Sequence, residues 1–166
     1  MARALIVACG CRGRELGAAL AADGWLVRGT TRAEESLPAI EAAGIEGWLA
    51  DPDRPGTVLD AAGDVALVVW LLGSAAGDRH LVSGLNGSRL ERLVEKLVDS
   101  PVRGFVYEAA GTAPAADRAA GAAIVRAAGE RWRIPVRVVN ADPASITDWL
   151  EAMVEAATGA VSAGSA

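Results

Sequence analysis

The sequence predicts an α/β fold: a single doubly wound parallel sheet with helices on both faces. Three observations lead there. Short, continuously apolar runs recur along the chain, helical stretches of mixed polarity separate them, and glycines fall at the junctions. Apolar runs of about four to eight residues without alternation are the pattern of strands covered on both sides. Their separation by helices is that of βαβ crossovers.

The elements follow in order. ALIVAC, residues 4–9, is the first strand; a glycine loop and an alanine-rich helix ending near Ala22 follow, and Gly24 stops the helix. A strand is predicted over 26–30, a helix over 34–43 broken at Gly44, a strand over 47–50 and a helix over 55–62. The most apolar strand, VALVVWLL, covers 65–72. GSAAGDRHLVSGLNG reads as a polar, glycine-rich loop leading to the helix GSRLERLVEKLVDS, where Leu90, Leu93, Val94, Leu97 and Val98 share one face. Strand VRGFVYEA, a helix over 115–131, strand PVRVVNA and an amphipathic helix over about 144–157 complete the domain, residues 1–158. The tail GAVSAGSA, 159–166, is expected to be disordered.

Composition limits the functions open to this fold. A chain of 166 residues buries a sizeable core as one domain without disulfides or a structural metal. Two cysteines are too few for a disulfide framework, and the apolar start runs straight into a glycine loop rather than a cleavage site, so a soluble, cytoplasmic protein is expected. The longest apolar run falls short of the roughly 20 residues of a membrane span. A net charge of −5 without a basic tract argues against nucleic acid and for a small ligand.

The glycine loop, ACGCRGRELG, is the strongest motif. Ala8, Gly10 and Gly13 stand at the spacing of G-x-G-x-x-G, with alanine for the first glycine, between a strand and a helix. Gly10 would let the backbone approach a pyrophosphate facing the N–H groups and positive dipole end of the helix. Gly13 and Gly17 would let helix and strand pack closely. Cys9 and Cys11 supply two thiols where a zinc site needs four ligands, so no metal is expected. Cys9 reads as a buried filler, and Cys11, at the helix N-terminus, as one of the cofactor-binding loop residues and a candidate for redox reactivity.

At the end of the second strand stand Thr30, Thr31 and Arg32. An NAD-preferring site places a carboxylate about 20 residues after the glycines. Here an arginine and two hydroxyls would hold a 2′-phosphate instead, with Arg12 as a second cation. NADP is therefore expected over NAD.

The run AxGxxGxxxG, strand, GTTR, then ADPD after the third strand and WLLGSA after the fourth, resembles the extended and atypical short-chain dehydrogenase/reductases, a Rossmann-like family with NmrA-like and epimerase/dehydratase-like branches. The resemblance covers residues 2–142. It implies that Asp51 meets the adenine amino group and that Leu72, Gly73, Ser74 and Ala75 line the ribose and nicotinamide side. It also implies that Tyr107 to Ala110 stand near the catalytic centre. Active members carry a tyrosine followed four residues later by a lysine. The only tyrosine here is Tyr107, Gly111 stands four residues on, and the only lysine is Lys96.

Tyr107 beside Glu108 is a weak candidate for an improvised proton donor, and His80, the only histidine, is another. No nucleophile elbow or Walker A lysine appears. Two functions follow: a noncatalytic NADP(H)-binding or sensor module, or an NADP-dependent oxidoreductase or epimerase-like enzyme with an atypical site for a small-molecule substrate. Asn86-Gly87-Ser88 has the form of a glycosylation acceptor but reads as a turn and helix cap. Trp70 reads as core, and Trp149 as packing on the sheet or on a second subunit of a homodimer.

Overall fold

The computed structural model describes residues 1–163. Its elements are β1 (Arg3–Val7), α1 (Cys11–Ala22), β2 (Leu26–Thr31), a 3-10 turn (Glu34–Ser36) entering α2 (Leu37–Ala42), β3 (Glu46–Leu49) and α3 (Pro55–Ala61). They continue with β4 (Leu67–Trp70), α4 (Arg79–Leu85), α5 (Ser88–Leu97), β5 (Phe105–Glu108), α6 (Ala115–Trp132), β6 (Val136–Val139) and α7 (Ile146–Ala163). All strand pairs are parallel, in the order β3-β2-β1-β4-β5-β6. The chain winds outward from β1 to β3, returns to β4 beside β1, and winds outward again to β6. That reversal between β1 and β4 opens a crevice at the strands' carboxyl ends, where such sheets bind ligands.

Period-two alternation divides the core into two layers. Leu5, Val7, Val68, Trp70, Phe105 and Tyr107 pack under α3, α5 and α6 with Val58, Leu90, Leu93 and Val125. Ala4, Ile6, Leu67, Val69 and Val106 face the opposite way, against Leu16 and Leu20 of α1, Ile40 of α2 and Trp149 and Met153 of α7. Gly13 and Gly17 allow the close packing of α1 that the motif implied: a Cβ at Gly17 would run into Ile45, and one at Gly13 would lie 3.2 Å from the Cys9 sulfur. Arg28, a buried arginine inside β2, is held by Glu46 at 3.0 Å, Asp64 at 2.7 Å and the Ala61 carbonyl at 2.6 Å, with its guanidinium over the Trp48 ring.

Most sequence-based boundaries shift by a residue or more, and three differences change an element's extent or kind. The predicted loop after β4 contains α4, because Asp78 caps it by accepting from the His80 N–H at 2.8 Å and because Val82 and Leu85 reach the core. β4 is shorter than the apolar run that encodes it; Val65 lies before it and Leu71 and Leu72 after it, all three buried in the flanking segments. Finally, α7 runs to Ala163, since Ala156, Ala157 and Ala160 continue the stripe begun by Trp149 and Met153. Residues 159–163 of the expected disordered tail are thus helical, and 164–166 lie outside the described residues.

Candidate functional site

The carboxyl ends of β1 to β4 enclose a cleft of about 330 Å³, toward the small end of the roughly 300–1,000 Å³ usual for small-molecule sites. Its floor is the glycine loop. Ala8 takes a left-handed conformation, φ 65°, and its N–H donates to Thr30 Oγ1 at 3.0 Å while the Cys9 N–H donates to the Thr30 carbonyl at 2.8 Å. Gly10 is the N-cap of α1 and supplies no side-chain cap, so no cap from it satisfies the first N–H groups of the helix, which have no intrahelical partners. A Cβ at Gly10 would meet nothing within 4 Å, which leaves the loop's backbone open to an incoming group.

Most of the candidate cofactor residues meet at this cleft. Ala8, Gly10 and Arg12 line it from the loop, Thr31 and Arg32 from β2, Asp51 from the end of β3, and Leu72 from beyond β4. Ser74 and Ala75 join Leu72 there. Three candidates lie elsewhere. Gly13 is buried on the sheet-facing side of α1; Cys11 is exposed on the first turn with its sulfur 3.3 Å from the Arg14 guanidinium; Gly73 is turned into the protein. The two threonine hydroxyls expected at the 2′-phosphate also bond the local backbone. Thr30 holds the glycine loop, and Thr31 Oγ1 accepts from the Ala33 N–H at 3.1 Å.

Arg12 differs from expectation in its partner. Its Nη1 donates to Glu108 Oε2 at 2.6 Å, and its guanidinium lies 5.1 Å from the centre of the Trp149 ring. The positive charge is thus matched by a fully buried carboxylate. That carboxylate also accepts from Trp149 Nε1 at 2.9 Å and the Gly73 N–H at 3.1 Å. Among the described residues the arginines of the cleft without an ion-pair partner are Arg14 and Arg32. The contribution of Arg14 was not read from the sequence, although a basic residue in the first turn of the motif's helix was the available signal.

Neither catalytic candidate reaches the cleft. Tyr107 alternates to the opposite face from Glu108, is fully buried, and donates to Asn86 Oδ1 at 2.5 Å, with the Arg118 carbonyl at 3.3 Å. Burial pushes its hydroxyl up to about 12, and the nearby Asp117 and Glu108 charges add to the rise while Arg118 opposes it. Such a phenol is a poor acid–base group at neutral pH. The pairing of Tyr107 with Glu108 as a proton donor fails for the same reason of strand alternation. His80 is exposed on the first turn of α4 and does not line the cleft. Burial also pushes the Cys9 thiol up to about 12, with Arg14 pulling the other way, as befits a core filler. Asn86, expected in a turn, is 1% exposed, with its amide donating to the Val82 carbonyl at 3.1 Å and its oxygen taken by Tyr107.

No family model and no curated protein matches the chain. Solved structures do. Vestitone reductase from alfalfa (Medicago sativa L.) superposes with a TM-score of 0.64 at 16% identity, over 84% of this chain and 56% of that one. A short-chain dehydrogenase/reductase superfamily protein from Agrobacterium tumefaciens, with bound NAD, gives 0.69 at 19% identity over 83% and 48%. UDP-glucuronic acid 4-epimerase from Bacillus cereus, in complex with NAD and a UDP-sugar analogue, gives 0.66 at 12% over 83% and 55%. This chain therefore spans about half the length of the structures it matches. No helix among the described residues is long and apolar enough to cross a membrane. The fold is the Rossmann-like fold that these reductases and epimerases share.

Proposed function

We propose that this chain is an NADP(H)-binding domain without reductase chemistry of its own. Support for the nucleotide comes from a glycine loop with open backbone at a helix N-terminus, on a fold whose solved relatives include NAD complexes. Support for the phosphorylated form comes from Arg14 and Arg32, two cleft arginines without carboxylate partners, and from the absence of a carboxylate at the end of β2. Gly10 and the first turn of α1 would hold the pyrophosphate, Arg32 and Arg14 the 2′-phosphate, and Asp51 the adenine edge. The cofactor itself would supply hydride chemistry.

The observation that carries the noncatalytic reading is the burial of Tyr107, the only tyrosine, on the far side of the sheet and bonded to Asn86. Titration with NADP⁺, NADPH, NAD⁺ and NADH tests the binding, and a panel of ketones and aldehydes with NADPH tests the chemistry. Binding without turnover is expected. Robust NADPH oxidation that disappears in Tyr107→Phe would establish the oxidoreductase reading instead.

A further inference from the structure

Doubly wound sheets of this order consist of two mononucleotide-binding halves, and a dinucleotide lies across both. In this chain the two halves differ. The cleft draws its walls from β1, β2, β3 and the turn after β4, together with Leu81 and Leu85 of α4. In the proposed reading this half would take the adenosine. At the ends of β4 and β5, where the other half would take its nucleotide, the backbone segments are joined directly. The Gly73 carbonyl accepts from the Ala113 N–H at 2.8 Å, Ser74 Oγ accepts from the Thr112 N–H at 3.3 Å, and the Gly73 N–H donates to Glu108. The approach is so close that a Cβ on Gly73 would run into the Ala110 carbonyl and one on Gly111, at φ +135°, into the Gly73 carbonyl. On the α1 side of the same strand ends, Arg12, Glu108 and Trp149 form a bonded cluster around a carboxylate that is 0% exposed.

We infer that the second mononucleotide seat is occupied by the protein's own backbone and side chains, and that the cleft holds NADP(H) by its 2′-phospho-ADP-ribose portion while the nicotinamide ring stays outside. This rests on the proposed function and deepens it. A ring that is not gripped has no preferred approach to a substrate. A protein that does not grip it also cannot distinguish the oxidised from the reduced cofactor. The domain would respond to the total NADP(H) concentration rather than to its redox ratio.

The test uses the unaltered protein and three ligands: NADPH, NADP⁺ and 2′-phospho-ADP-ribose, which is the cofactor without its nicotinamide. Calorimetric affinities within about threefold of one another are expected. Saturation-transfer NMR should place strong contacts on the adenine and ribose protons and weak ones on the nicotinamide protons. A loss of more than tenfold for 2′-phospho-ADP-ribose relative to NADPH, or strong saturation of the nicotinamide protons, would overturn the inference and leave the NADP(H) reading intact. If none of the three binds, both fall together.

Discussion

Arg12 and Glu108, at the start of α1 and the end of β5, are joined by a 2.6 Å ion pair that holds the glycine loop to the far half of the sheet. Removing the arginine leaves a buried carboxylate with only two neutral donors, the Trp149 indole and the Gly73 amide. Breaking a buried pair from one side costs roughly 3–5 kcal/mol, and because the Arg12 side chain is 27% exposed the lower end applies. Arg12→Ala should therefore lose about 3 kcal/mol in urea unfolding followed by tryptophan fluorescence. Arg12→Lys, which keeps the charge but loses the planar contact with Trp149, should lose about 1 kcal/mol. A loss below about 1 kcal/mol for Arg12→Ala would show that water replaces the pair.

Tyr107 allows a spectroscopic test, because no other tyrosine interferes. Burial pushes its hydroxyl from the ordinary value near 10 up to about 12 in the folded protein. Stability tied to the neutral phenol is fully present below pH 10 and lost as pH rises through about 12, since the unfolded chain releases its proton first. Tyrosinate absorbance of the native protein should stay flat through pH 11 and appear together with unfolding. A reversible native midpoint near 10 would contradict the burial and the bond to Asn86.

Reading the fold from the sequence depended on periodicity, and periodicity failed where polar punctuation hid it. Val82 and Leu85 carry the helical spacing of α4, but the glycines around them read as a loop, and the Asp78 cap is what starts the helix. The glycine motif located the cleft, because a strand, a glycine loop and a helix form a local unit. Glu108 was harder to interpret. Its neighbours Arg12, Gly73 and Trp149 are distant in sequence, and the pairings of β1 with β4 and β4 with β5 together with the docking of α7 bring them to one place. The same pairing shows why adjacency misled for Tyr107 and Glu108: in a strand, neighbours in sequence are on opposite sides of the sheet.

Nucleotide preference should reside in Arg32. A guanidinium can offer a 2′-phosphate two donors that NAD cannot use, and charge-assisted hydrogen bonds contribute about 1.5–3 kcal/mol each. NADPH should bind on the order of tenfold to a hundredfold more tightly than NADH. Arg32→Asp should cancel or reverse the ratio, and added salt should shrink it, because Arg32 is exposed. Calorimetry with both nucleotides on both proteins checks it; a ratio untouched by the substitution would remove Arg32 from the site.

Two glycines should separate folding from binding. Gly10→Val puts its Cβ where no other part of the fold lies within 4 Å, so circular dichroism should match the parent while nucleotide binding is lost. Gly73→Ala drives a methyl onto the Ala110 carbonyl, a backbone atom that cannot swing aside. It should lower stability by about 3 kcal/mol. Retained binding by folded Gly10→Val would move the pyrophosphate site elsewhere.

The strand order has a consequence for how the chain reaches this structure. β1 is central and pairs on one side with β2, a near neighbour in sequence, but on the other side with β4, where Ala4 meets Leu67. Its second edge therefore stays open until the residues of β2, α2, β3 and α3 have been made. Pairings this distant close large loops before they gain contacts, and they slow folding accordingly. During synthesis ALIV stays an unpaired apolar edge, the kind of segment that seeds aggregation and attracts chaperones. Refolding yield should thus fall with protein concentration more steeply than native stability alone would suggest, a cost set by the winding that also creates the cleft.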